Sequence, residues 1–117
     1  MSQYLLVQPD VYYVRNSDHY TLICPEGERI AFEGLEDFDF FLHPALKNLG
    51  MFSQDKWNVS EGHSGCSVTP LCSYPTREDA LAAARAVLDG KVLAFIQKCV
   101  NEGIEKVGLT PRYAEQG

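Results

Sequence analysis

Residues 76–88, TREDALAAARAVL, carry the clearest local signal in the chain. Thr76 is a favoured N-cap residue, and Glu78 and Asp79 fall in the first turn, where the helix dipole favours negative charge. The alanine-rich run that follows is a strong helix former, and Asp89-Gly90 ends or kinks it. A second helix is predicted by apolar residues at i, i+3 and i+4 spacing: Val92, Phe95, Ile96, Cys99, Val100, Ile104 and Val107. The C-terminal part of the chain is therefore predicted to form two helices.

The residues before this helical part are rich in β-formers. Strands are predicted over residues 4–8, 11–14, 19–24 and 29–33, with the second either separate or a continuation of the first after a bend. Turn signals lie at Pro9-Asp10, Asn16-Ser17-Asp18 and Pro25-Glu26-Gly27-Glu28. The last of these predicts a hairpin that pairs the third strand with the fourth.

In the middle of the chain the spacing of apolar residues changes from strand-like to helical. Leu35, Phe38, Leu42 and Leu46 recur at helical spacing, and Pro44 interrupts them. A proline removes a backbone donor inside a helix, so the pattern predicts a short helix over 35–42 and a further turn from Pro44 to Gly50. A strand over 56–60 and a return strand over 66–69 follow as a second hairpin.

Strands and helices are segregated along the chain, which predicts an α+β fold. We expect an antiparallel sheet of about 4–6 strands with a short central helix and two C-terminal helices packed on one face. The length of 117 residues suits a single domain. Within it we distinguish an acidic strand-rich part (1–56), a hairpin with helices (57–108) and a frayed tail (109–117), with residues 50–56 as the best boundary.

The formal net charge of −6 is unevenly distributed. Residues 1–62 carry ten of the 16 acidic and four of the 10 basic side chains, so the remaining residues are neutral. Phosphates are bound by Lys and Arg, so we expect no direct contact with nucleic acid. A partner protein with a basic surface fits this charge, and simple solubility is the plainer explanation.

The chain shows neither a secretion signal nor a stretch of about 20 apolar residues. We therefore expect a cytoplasmic protein without a membrane partner, whose four cysteines are thiols. A homodimer stays open.

Candidate partner-binding residues lie in the acidic part and include one aromatic side chain: Glu26, Glu28, Glu33, Glu36, Asp37, Asp39 and Phe40. Paired carboxylates can also perform acid–base catalysis. Acids that flank a hairpin turn and a helix start are, however, commonly just solvated. The first half holds more rings than one core face accepts, and an exposed ring favours an interface.

His63, Cys66 and Cys72 are the candidates for chemistry, either as metal ligands or as a thiol with its base. The second close ligand pair of a structural zinc site is missing, and Cys99 belongs to the apolar helix face. Cys66 also lacks a recognisable third group to orient His63. The chain contains no P-loop, dinucleotide-binding, zinc-protease or nucleophile-elbow motif. We expect no metal and no cofactor.

Residues 57–88 run from Trp57 through Gly62 and Gly65 to Thr76-Arg77-Glu78-Asp79-Ala80. This segment resembles small uncharacterised proteins of phages and bacterial mobile elements, in which a Trp-led hairpin precedes a Thr-Arg-Glu-x-Ala helix. The resemblance covers about a quarter of the chain. It implies a small protein without assigned chemistry, in a group where some members are anti-CRISPR or other anti-defence inhibitors that bind basic surfaces. It assigns no role to any residue.

These observations lead to one function and two alternatives. The leading hypothesis is a non-enzymatic acidic binding protein, an inhibitor of the phage type that occupies the nucleic-acid-binding surface of a larger bacterial protein. The first alternative is a small thiol- or metal-dependent enzyme, or a metal-binding protein, centred on His63, Cys66 and Cys72. The second is a structural or assembly subunit.

Overall fold

The computed structural model describes residues 4–15, 20–48 and 51–114. Over these residues the chain forms four strands and then three helices: β1 Tyr4–Arg15, β2 Thr21–Phe32, β3 Phe40–Asn48, β4 Met51–Glu61, α1 Arg77–Leu88, α2 Leu93–Val107 and α3 Pro111–Ala114. The strands make one antiparallel sheet in the order β1-β2-β3-β4. The α+β prediction is confirmed, since an antiparallel sheet precedes the helices.

The short central helix is a wrong prediction, because β3 occupies most of its range. Residues 33–39 form turns, in which the Leu35 amide donates to the Phe32 carbonyl and the Phe38 amide to the Leu35 carbonyl. Phe40 and Leu42 then pack in one hydrophobic cluster and Phe41 in another. A strand that is buried on both faces carries consecutive apolar residues, so its spacing imitates a helix. Residues 49 and 50 lie outside the described residues.

Pro44 is tolerated inside β3 because the pairing between β2 and β3 ends before it. The last pair between β2 and β3 is Glu28 with Leu42, two residues before Pro44. On its other side Pro44 is paired in register with Trp57 of β4. A missing amide donor is tolerated at a strand edge, which is what β3 presents toward β2 beyond Leu42. The proline therefore marks the end of the pairing between the two strands.

The predicted turn at residues 25–28 lies within the continuous strand β2, so the hairpin expected there is wrong. β2 pairs with β1 along its length, with register shifts between Leu6 and Pro9 and between Asp10 and Tyr12. Gly27 is needed for close packing and makes no turn. A Cβ there would lie 2.6 Å from Cδ2 of Tyr12, so the tyrosine ring lies against the bare glycine backbone.

β1 is the continuous form of the first two predicted strands, which confirms a continuation past Pro9. The turn predicted at residues 16–18 lies outside the described residues. The strand predicted over 56–60 is confirmed as part of β4, which runs across the candidate boundary at 50–56. The return strand over 66–69 is reduced to a single bridge between Ser60 and Ser67, with the Val68 amide donating to the Val59 carbonyl.

The two predicted C-terminal helices are confirmed as α1 and α2. Thr76 caps α1, since its hydroxyl accepts a hydrogen bond from the Asp79 amide at 3.0 Å. α1 buries Ala80, Leu81, Ala84 and Leu88. These side chains share a cluster with residues of β2, β3 and β4: Ile30, Phe32, Phe40, Leu42 and Val59. α2 buries only Ile96 and Val100, so α1 is the main cover of this sheet face.

A second cluster contains Tyr12, Val14, Cys24 and Phe41, with the rings of Tyr12 and Phe41 stacked at 4.1 Å. The C-terminal segment lies close to it, because the Arg112 guanidinium stands 4.0 Å from the centre of the Tyr12 ring. The expectation of a frayed tail is wrong for residues 109–114. Thr110 is fully buried and α3 follows it, while residues 115–117 lie outside the described residues.

Candidate functional site

The predicted acidic residues fall into two separate groups. Glu26 and Glu28 lie on β2, whereas Glu33, Glu36 and Asp37 lie on the turn between β2 and β3, and we call these last three residues the acidic turn. Glu26 and Glu33 are seven residues apart in nearly extended chain, which corresponds to about 23 Å. The side chains of Glu26 and of the acidic turn are exposed. The single acidic stretch of the sequence is therefore two surfaces.

Glu28 holds helix α1 against the sheet. Arg77, the first residue of α1, donates from Nη2 to Glu28 Oε1 at 2.8 Å, and its Nη1 lies 2.5 Å from Glu28 Oε2. The Arg77 guanidinium also lies 5.1 Å from the Trp57 ring centre. Glu26 lines a groove of about 470 Å³ beside this contact, together with Phe52 and Trp57. Glu28 is thus engaged by its own chain, while Glu26 stays at the groove surface.

Asp39 and Phe40 are buried, at 5% and 2% exposure, so neither is presented to a partner. Phe40 belongs to the core cluster under α1 and packs edge-on against Phe32, with ring centres 6.0 Å apart. Asp39 belongs to the acidic stretch of the sequence, and Phe40 to a first half with more rings than one core face accepts, which is why both are expected at the surface. As the end of a turn and the first residue of β3, they point into the fold instead.

Asp39 accepts hydrogen bonds from three side chains, and together these four residues are called the Asp39 cluster. The Tyr12 hydroxyl donates to Oδ1 at 2.6 Å, Arg112 Nε donates to Oδ2 at 3.0 Å, and the Tyr113 hydroxyl donates to Oδ2. Arg29 Nε lies 3.7 Å from Oδ1. A buried carboxylate needs such partners, because an uncompensated charge in the interior is costly.

The titration behaviour of the cluster agrees with these roles. Burial and the Asp39 carboxylate raise the pKa of Tyr12, and they raise the pKa of Tyr113 to about 12. Both phenols therefore keep their protons as donors. Burial alone would lower the pKa of Arg112, but its hydrogen bond to Asp10 and the charge of Asp39 raise it. The cluster is a fixed arrangement of donors around one acceptor.

Glu61 organises the turn that follows β4. Its Oε2 accepts from the His63 amide at 2.8 Å and lies 2.6 Å from His63 Nδ1. Its Oε1 accepts from the Ser64 amide and hydroxyl, both at 2.9 Å. The hydrogen bond to Glu61 raises the pKa of His63 above its usual value, against the opposing effect of burial. The His63 ring stacks on Tyr113 at 3.8 Å, which joins this turn to α3.

The structure does not bring His63, Cys66 and Cys72 together as a site. The His63 ring is bonded to Glu61, and the Cys66 thiol donates to the Ser64 carbonyl at 3.8 Å. Cys72 is exposed on the segment before α1, and Cys99 is exposed too, which differs from its expected place on a buried face. Across residues 4–15, 20–48 and 51–114, no three His, Cys, Asp or Glu side chains are placed to hold a metal ion.

His43 is a buried polar residue that sequence reasoning missed. Its Nδ1 lies 2.6 Å from the Pro44 carbonyl oxygen and its Nε2 lies 2.8 Å from Ser60 Oγ. A carbonyl only accepts, so Nδ1 carries the proton and Nε2 accepts from the Ser60 hydroxyl. Burial lowers the pKa of His43 to about 4. Ser60 and His43 are 1% exposed, so this pair is a neutral core contact.

Comparison with known proteins gives no relative. A scan against protein-family models, a search of curated proteins and a search of solved structures each found no match. In the part of the chain that the structure describes, no helix has both the length and the apolar character to cross a membrane.

Proposed function

We propose that this chain is a non-enzymatic binding protein that engages a basic protein surface through its acidic turn. The observation that supports this most is the placement of Glu33, Glu36 and Asp37. All three are exposed and close in sequence on one turn, in the half of the chain that carries the whole net charge. Opposite charges across an interface raise the association rate and select the partner.

The buried titratable groups support binding over catalysis. Asp39 accepts from three side chains, Glu61 accepts from the turn after β4, and His43 is enclosed between Pro44 and Ser60. Each of these groups is held by partners within the chain. Glu61 lines a cavity of about 210 Å³, and both of its carboxylate oxygens already accept hydrogen bonds there, from His63 and Ser64. Their hydrogen bonds fix the sheet and the C-terminal segment.

The specific form of the proposal is an inhibitor of a nucleic-acid-binding protein. Carboxylates and phosphates are recognised by the same Lys and Arg side chains. A surface that carries three exposed carboxylates on a short turn therefore competes with nucleic acid for such a site. The resemblance of residues 57–88 to small phage and mobile-element proteins supports a bacterial target of this kind.

Affinity capture from a bacterial lysate, followed by competition, tests the proposal. The captured protein is purified and bound to a duplex DNA or RNA oligonucleotide, and this chain is then added. Release of the oligonucleotide at low salt, with weaker release at high salt, is the expected result, because ions screen exposed charges. A ternary complex with the nucleic acid still bound, or capture that does not respond to salt, would count against the proposal.

A further inference from the structure

Helix α2 carries apolar side chains that the fold leaves exposed. Val92 and Phe95 are 68% and 47% exposed, and Cys99, one turn after Phe95, is exposed as well. We call these three residues the α2 face, because the helical repeat places them on one side of the helix. Leu93 is also exposed, but it lies beyond the buried Ile96 and Val100. Single exposed apolar residues are ordinary, but a contiguous apolar stripe on one helix marks a contact surface. The helix buries only Ile96 and Val100 in return.

A cavity of about 210 Å³ opens beside the α2 face. Phe95, Ile96, Cys99 and Val100 line it from α2, while Val87 and Leu88 line it from α1. Phe40 and Val68 contribute further apolar surface. An apolar side chain brought by a partner would find matching walls here, as anchor residues do at the centres of protein interfaces.

The charges around this face suit a second copy of the same chain. Residues 63–117 carry six acidic and six basic side chains, so two copies meet through this half without the repulsion that the acidic half would impose. On α2, Lys98 precedes Glu102 by one turn, while Lys91 lies before the helix and Lys106 lies beyond both glutamates. Two such helices that run antiparallel about an axis between these positions place Lys98 of each beside Glu102 of the other.

We propose that the chain forms a two-fold symmetric homodimer through antiparallel contact of its α2 faces. Phe95 of each copy is the anchor and packs toward the cavity of the other copy. Lys98, which lies 4.0 Å from Glu102 in its own helix, is positioned to share that carboxylate across the interface. The three residues of the acidic turn do not line this cavity, so the dimer contact does not require them.

Light scattering after size exclusion, over a range of concentrations, tests the dimer in the full chain. The wild-type protein is expected to reach twice the chain mass of 13.1 kDa. Phe95→Asp is expected to weaken self-association at least about 30-fold. The variant keeps its helix, because a negative charge in the first turn of α2 is favoured by the dipole. Equal circular dichroism and thermal midpoints confirm that both proteins are folded.

Leu71→Asp is the matched control, since Leu71 is 60% exposed outside the helices and the substitution is the same in kind. This variant is expected to dimerise as the wild type does. Mild oxidation of a chain that retains Cys99 as its single cysteine is expected to give a disulfide-linked dimer, since a two-fold axis near Cys99 brings both thiols together. A wild-type mass of one chain at every concentration overturns the proposal. So does a dimer that survives Phe95→Asp or is lost equally in Leu71→Asp.

Discussion

Arg112 Nε donates to Asp39 Oδ2 at 3.0 Å, although the two residues are 73 positions apart. The same guanidinium donates through Nη1 to Asp10 Oδ2 at 3.0 Å and to the Val11 carbonyl at 2.8 Å. One side chain of α3 therefore connects the C-terminal segment to β1 and to the start of β3. The four residues Pro111–Ala114 would be too short to hold a helix without such contacts.

Arg112→Ala is expected to destabilise the protein strongly. The substitution leaves the buried Asp39 carboxylate without its closest guanidinium, and breaking a buried pair in this way costs about 3 kcal/mol. Lys56→Ala is the matched control, because Lys56 is exposed on β4 and a surface substitution of this kind changes the stability by less than about 0.5 kcal/mol. Urea unfolding of both variants measures the difference, and equal losses would contradict the role of the Asp39 cluster.

The lowered pKa of the buried His43 predicts that the protein loses stability in mild acid. Its pKa is about 4 in the folded protein and near 6.5 in the unfolded chain, so the unfolded state binds the proton first. The free energy of unfolding should therefore fall by about 2 kcal/mol as the pH drops from about 7.5 to 5. Urea unfolding at a series of pH values measures this slope, and nuclear magnetic resonance titration of the His43 ring measures its pKa directly.

His63 has the opposite sign and provides the control. Its folded pKa is raised by Glu61, so its contribution is complete below the unfolded pKa and is lost as the pH rises through the folded pKa. His63→Gln should therefore steepen the loss of stability in acid, whereas His43→Gln should flatten it. A His43 ring that titrates near the pKa of free histidine would refute the buried neutral assignment.

Gly65→Ala is expected to cost more than Gly90→Ala. Both glycines have positive φ, at 72° and 76°, so each substitution pays about 1 kcal/mol for the left-handed backbone. A Cβ at Gly65 would also lie 2.8 Å from the Tyr13 carbonyl oxygen, whereas nothing lies within 4 Å at Gly90. This overlap adds about 2 kcal/mol. Thermal unfolding compares the two variants, and similar midpoints would contradict the close approach of the turn to β1.

The sequence predicts those elements whose signals are local. Thr76 and the alanines after it specify α1 within thirteen residues, because capping and helix propensity act over one or two turns. Gly27 and Pro44 are residue types typical of turns, but in this fold both lie inside strands. Gly27 lies against the Tyr12 ring, and Pro44 follows the last residue pair between β2 and β3. These neighbours come from the tertiary fold and are not visible in the local sequence.

The candidate site likewise contains residues whose placement the local sequence predicts and residues whose placement depends on the tertiary fold. Exposure of Glu33, Glu36 and Asp37 agrees with the expectation for solvated turn acids. The burial of Asp39 depends on Arg112 and Tyr113, which lie more than seventy residues later, and no sequence spacing predicts such a contact. The sequence signal for this contact is limited to Arg112 and Tyr113 after Pro111. It indicates nothing until the position of the Asp39 carboxylate is known.

The central claim is that the acidic turn makes the contact with a basic partner. The most direct measurement is the dissociation constant of the captured complex at physiological salt, by calorimetry, for three proteins. These are the wild type, the turn variant Glu33→Gln/Glu36→Gln/Asp37→Asn, and a control, Asp55→Asn/Glu78→Gln/Asp89→Asn, that removes the same charge from other exposed sites.

Charges beyond about 8 Å are largely screened at this salt, so only acids at the interface affect the affinity. The account predicts that the turn variant binds at least about tenfold more weakly and that the control stays within about twofold of the wild type. Equal affinities for the turn variant and the wild type, or equal losses in both variants, would contradict it.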